Sequence, residues 1–129
     1  MEANTVSSRD YQVIQGYDDA GFRISGRRHD GAVLVFPRHS VGWAVDGLAA
    51  VTVDSLQALA GEDPRVEILL LGTGRRMLAV PASLRLALRE AHGVVLEVMD
   101  TGAACRTFNV LVAEGRPVAA ALFVDGAGQ

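Results

Sequence analysis

One segment constrains this chain more than any other. Val94-Val95-Leu96-Glu97-Val98-Met99 runs directly into Asp100-Thr101-Gly102-Ala103-Ala104-Cys105-Arg106-Thr107-Phe108-Asn109. The first half is short and apolar, as a buried strand is. The second half opens on residues that can cap a helix, and predicts a helix over about 101–113 that Gly115 ends. A strand that feeds a helix without a linker must bury both apolar faces against neighbours, so the rest of the chain is read around this unit.

The neighbours are legible. Val66-Glu67-Ile68-Leu69-Leu70-Leu71 does not alternate, which predicts a strand covered on both faces. A helix is expected over about 82–91, because Leu84, Ala87, Leu88 and Ala91 recur at helical spacing. Arg85, Arg89 and His92 are placed on its solvent side, and Gly93 stands where a left-handed C′ residue is wanted. Two strands joined by one helix are expected to run parallel. Val118-Ala119-Ala120-Ala121-Leu122-Phe123-Val124 reads as a further strand, whose alanines suit close approach of a helix.

The first third reads as an antiparallel meander. Strands are expected at 11–17, 22–25, 32–36 and 41–45, with turns at 18–21 and 26–31. Thr52 can cap a short helix at about 53–60, with Leu56 and Leu59 inward. Phe36 and Trp43 are either core or an exposed anchor for a partner. The whole is one mixed α/β domain at 11–125, with flexible tails expected at 1–10 and 126–129.

Composition excludes several chemistries. All twelve basic residues are Arg, so a P-loop lysine and a Schiff-base lysine are absent. Cys105 is the one cysteine, which rules out a CxxC pair or a thiolate cluster within the chain and suits a reducing compartment. His29, His39 and His92 have no metal-ligand spacing on one helix, so no metal is expected, nor any cofactor. The net charge of −3 is interspersed, with no basic stripe for nucleic acid. No apolar run approaches the ~20 residues of a membrane helix, and the polar start lacks the apolar core of a signal peptide. The expected compartment is the cytoplasm.

The run Met99 to Asn109, then Glu114-Gly115-Arg116 and Val118 to Leu122, with Gly72-Thr73-Gly74 upstream, resembles the Mth-domain family of small proteins. Its members include an adipogenesis-associated protein and a mitochondrial assembly factor of NADH:ubiquinone oxidoreductase. The resemblance covers about 14–124. It implies a three-layer arrangement: a mixed five-stranded sheet with helices, plus an antiparallel layer of strands from the N-terminal half. It also implies an antiparallel strand in the five-stranded sheet, which the expectation places at 118–124.

The candidate site lies where two loops should leave the sheet together. Thr101, Cys105 and Asn109 share one helix face at i, i+4, i+8, with Arg106 beside them. The helix N-terminus can hold an anion, and Gly72-Thr73-Gly74-Arg75 should emerge at the same sheet edge. A ligand crevice lined by Gly72, Thr73, Gly74, Arg75, Thr101, Cys105, Arg106 and Asn109 is the sharp expectation. The plain one is that Asp100 or Thr101 caps the helix, Cys105 packs as a small apolar group, and Asn109 bonds a neighbouring loop. The first functional expectation is a non-enzymatic protein-binding or assembly module with a crevice for a small ligand. The alternatives are an enzyme of unknown reaction using Cys105, Arg106 and Asn109, and a small-anion-binding protein using Arg75 and the helix N-terminus. The residues leave open any reaction, the partner and the oligomeric state.

Overall fold

In a computed structural model, which describes residues 10–125, the strand and helix of the central segment form as expected. The strands are β1 Ile14–Tyr17, β2 Gly21–Ile24, β3 Arg27–Asp30, β4 Val33–Val35, β5 Ser40–Gly42, β6 Ile68–Gly72, β7 Val95–Met99 and β8 Val118–Leu122. The helices are α1 Ala82–His92 and α2 Thr101–Ala113, with 3-10 segments at Leu48–Ala50 and Asp54–Gly61. Of the tails expected at 1–10 and 126–129, residues 1–9 and 126–129 lie outside the described residues.

The strands form two sheets. One is antiparallel in the order β1-β2-β3; the other is five-stranded and mixed, in the order β5-β4-β8-β6-β7. This is the three-layer α/β arrangement that the resemblance implies. β6 and β7 are parallel with Gly72 opposite Met99. β8 also runs parallel to β6. The antiparallel neighbour in this sheet is β4, which pairs Val33 with Leu122 and Val35 with Ala120. Placing the antiparallel strand at 118–124 is therefore corrected: it lies in the first third of the chain.

The meander is corrected too. Its strands divide between the two sheets, and 27–30 is a strand rather than a turn. The turn shrinks to Ser25-Gly26, both at positive φ (49° and 82°). Two residues in that conformation match the twist of the flanking strands, so Ile24 pairs directly with Arg27. The turn at 18–21 holds because Asp18 Oδ1 accepts from the Ala20 and Gly21 N–H groups at 2.8 and 2.9 Å.

β8 is central and buried along its whole length. Val118, Ala120 and Leu122 face α2 and the three-stranded sheet, sharing a core with Phe22, Ile24, Val33, Leu70 and Phe108. Ala119 and Ala121 face the other way, towards Trp43, Leu56, Leu69, Leu88 and Phe123. Small side chains on β8 let α2 approach the sheet closely. Each fully buried Phe or Leu contributes ~1.5–3 kcal/mol relative to exposure.

Trp43 is core: it is 6% exposed, it packs on Phe123 with ring centroids 4.9 Å apart, and its indole N–H donates to the Ser55 carbonyl at 2.8 Å. The segment expected as a short helix at 53–60 is 3-10, with Leu56 and Leu59 inward and the Ser55 N–H bonded to Thr52 Oγ1. His92 is not on a solvent face. It is half-buried, with Nε2 3.1 Å from the Val53 carbonyl oxygen, and so ties the end of α1 to the 3-10 segment. Gly93 takes the left-handed conformation expected of it, with φ 70°.

Candidate functional site

The two loops do leave the sheet at a common rim. The space between them is closed. The Thr101 N–H donates to the Gly74 carbonyl at 2.8 Å, and the Gly74 N–H donates back to Thr101 Oγ1 at 2.8 Å. The Thr101 hydroxyl in turn donates to the Phe123 carbonyl at 2.6 Å. Thr73 Oγ1 donates to the Arg76 carbonyl at 2.7 Å and accepts from the Leu78 N–H at 3.0 Å. Thr73 and Thr101 are 2% and 0% exposed. Hydroxyls this deeply buried need partners, and the nearest are the neighbouring loops. Gly72 suits the same closeness, since a Cβ there would lie 3.0 Å from the Thr101 Cα and Oγ1 and from Leu122 Cδ2, and those neighbours would have to give way.

The remaining members of the expected crevice point to separate places. Asp100 caps α2, accepting from the Ala103 N–H at 2.8 Å. Asn109 makes a two-way bond to Ile14: its Nδ2 donates to the Ile14 carbonyl and its Oδ1 accepts from the Ile14 N–H, both at 2.9 Å. This amide fastens β1 to α2. Arg75 is exposed and paired with Asp19 at 3.0 Å. Arg106 is exposed, with its guanidinium beside Gly102, where a Cβ would run into the Tyr17 hydroxyl.

Cys105 is 3% exposed in the core between α2 and the sheet. Burial, reinforced by the charge of Asp125, pushes its thiol up from 9.0 to about 12. A thiol held this way is protonated at neutral pH and is a poor nucleophile. Thus the polar groups expected to greet a ligand greet each other, and the rim is a riveted corner where a crevice was expected.

Open space lies elsewhere, beside α1. Of the four apolar positions that the helical spacing sends inward, only Leu88 is fully buried; Leu84 and Ala87 are half-buried and Ala91 is exposed. Leu84 and Ala87 instead form one wall of a groove of about 570 Å³. The 3-10 side supplies Leu48, Val51 and Val53, and Pro81 closes one end. Thr52 and Ser83 are polar members, and no charged side chain lines it. None of the eight residues singled out from sequence is in its wall. One signal points here: Leu48-Ala49-Ala50-Val51 is apolar yet belongs to no strand or amphipathic helix.

Among the described residues no group of three or more His, Cys, Asp or Glu side chains could hold a metal ion, and no helix is long and apolar enough to cross a membrane.

Comparison with known proteins gives a consistent relationship. A family model described as "Protein of unknown function (DUF498/DUF598)" matches residues 14–123. The chain is 37% identical over 115 residues to NADH dehydrogenase [ubiquinone] 1 alpha subcomplex assembly factor 3 of Xenopus tropicalis, covering 89% of this chain and 62% of that relative. It thus spans about three-fifths of that relative's length. It is 43% identical over 110 residues to an uncharacterised protein of Rhodobacter capsulatus, covering 84% of this chain and 82% of the other. Among solved structures, an Mth938-like domain of Bordetella pertussis superimposes with a TM-score of 0.78 at 31% identity, covering 98% of this chain and 94% of that one.

Proposed function

This chain belongs to the DUF498/DUF598 family of proteins of unknown function, and from that premise we propose that it is a non-enzymatic protein-binding or assembly module acting through the groove beside α1. The observation that carries the reading is the half-open apolar stripe of α1. An amphipathic helix normally covers its apolar face within its own domain. Here Leu84 and Ala87 are left lining an uncharged groove of about 570 Å³. Such a groove suits the apolar face of a partner helix, whose anchors would recur at i, i+3, i+4 and i+7. Assembly-factor relatives support a protein as the occupant. Burial of Cys105, which pushes its thiol up, and the bonding of Asn109 to Ile14 weigh against the alternative of an enzyme using Cys105, Arg106 and Asn109. The compartment proposed is the cytoplasm, which suits a chain with one unpaired cysteine.

The test uses two charged substitutions in the groove, Ala49→Arg and Ala87→Glu, against a control, Val110→Glu, on the exposed side of α2. Each tagged variant is crosslinked in cells that express the protein naturally, and captured partners are identified by mass spectrometry. Both groove variants should lose a partner that the control retains, with circular dichroism unchanged. Retention of every captured partner by both groove variants would overturn the reading.

A further inference from the structure

A second opening lies in the N-terminal part of the molecule. It is a cleft of about 300 Å³ between β3 and the loop before β5, lined by Arg27, His29, Arg38 and His39 with the hydroxyls of Ser25 and Ser40. We propose that this cleft binds a small phosphomonoester, the two guanidinium groups gripping the phosphate.

Strand geometry brings the cations together. Arg27 and His29 are two apart on β3 and so share one face, while Arg28 points to the opposite face. The opposite face is electrically satisfied: Arg28 meets Asp18 at 2.7 and 3.0 Å and Asp30 at 3.0 Å. Arg27 and His29 have no such partner: among the described residues, no carboxylate is within 4.0 Å of either. The tight Ser25-Gly26 turn delivers Arg27 to the mouth of the cleft at the first position of β3.

The facing wall is equally constrained. The Phe36 N–H donates to the His39 carbonyl at 2.8 Å, which closes the loop and presents Arg38 and His39. The His39 ring stacks on Phe36 with centroids 4.8 Å apart. The Arg38 guanidinium sits 4.9 Å from the centre of the Tyr11 ring, which orients it without neutralising it. Two carboxylates approach from outside the cleft: Glu62 is 2.8 Å from His39 Nε2, and Asp10 is 3.9 Å from Arg38. Neither lines it, and no acidic side chain does.

The chemistry of the lining selects the ligand. Two guanidinium groups offer paired N–H donors that match phosphate oxygens, and charge-assisted bonds of this kind are about twice as strong as neutral ones. Ser25 adds a hydroxyl whose oxygen accepts from the Val13 N–H at 3.0 Å, while the Ser40 hydroxyl is already donated to Gln12 Oε1 at 2.8 Å and only shapes the wall. The volume is at the lower end of small-molecule sites, roughly 300–1,000 Å³, so a phosphate with a small organic group fits better than a nucleotide.

The test is a titration of the whole chain, isotopically labelled for NMR, with glycerol 3-phosphate at constant ionic strength, and with glycerol as the uncharged control. Amide shifts should cluster on 25–29 and 38–40 and saturate, with no response to glycerol. Arg27→Gln, an exposed position, should weaken binding by at least about tenfold, as expected for loss of a charge-assisted pair. Arg28→Gln, on the opposite face, should leave binding unchanged. Matching spectra of the free Arg27→Gln protein elsewhere in the chain would show that it folds. Absence of saturable shifts up to on the order of 10 mM, or equal weakening by both substitutions, would overturn the proposal.

Discussion

Cys105 shows how one residue's chemistry is set by its surroundings. Its sequence position near a helix start favours a thiolate, but burial disfavours the charged form and wins, because the thiol is a full turn inside α2 and 3% exposed. Iodoacetamide at pH 8 should label the folded protein at least about a hundredfold more slowly than a free thiol, and labelling should become fast on unfolding. The same shift makes stability depend on pH. The folded thiol holds its proton to about 12 while an ordinary one loses it near 9.0. Above 9.0 the unfolded state therefore binds fewer protons, and stability falls as pH rises towards 12. Urea melts at pH 8 and pH 10.5 should show a larger loss in the natural protein than in Cys105→Ala, and equal losses would contradict this account.

Thr101 joins three elements. Its one hydroxyl accepts from the loop after β6 and donates to the carbonyl that follows β8, while its backbone opens α2. Thr101→Val keeps the shape and deletes both bonds, leaving a buried N–H and a buried carbonyl without their partner. Each such group costs ~1–3 kcal/mol, so the substitution should destabilise by about 2–4 kcal/mol in urea unfolding. Thr101→Ser keeps the hydroxyl and should cost less than half as much. Equal costs for the two would mean that the corner is held by packing and not by these bonds.

α2 is the shared wall of the whole molecule. One core unites Phe22 and Ile24 of the small sheet, Leu70 and Leu122 of the large sheet, and Phe108 of α2. Asn109 adds a polar tie to β1. The three-stranded sheet therefore cannot leave without exposing the helix and the larger sheet behind it. Unfolding should be a single transition, as for most domains under about 150 residues. Trp43 fluorescence reports the core on one face of the large sheet and Cys105 labelling the core on the other. Their urea midpoints should coincide, and should still coincide, at lower urea, in Asn109→Ala. Separate midpoints would show that the two cores unfold independently.

What depends on neighbours along the chain is legible in the residues themselves. The span of α2, the glycine stops at 93 and 115, the inward Leu56 and Leu59 and the parallel pairing across α1 all follow from spacing, capping and short connections. What depends on distant neighbours is not. The direction of β8 is decided by which strand edge stands free beside β6, and β4 supplies the antiparallel partner. The fate of Thr73, Thr101 and Asn109 is decided by groups such as Gly74, Phe123 and Ile14, which the chain brings to them only on folding. The same polar pattern serves an open crevice or a sealed corner. Which one forms is set by whether another segment reaches the hydroxyls first. Spacing assigns α1 an apolar face, but how much of that face is covered depends on segments that pack from elsewhere in the chain, and here they cover Leu84 and Ala87 only in part.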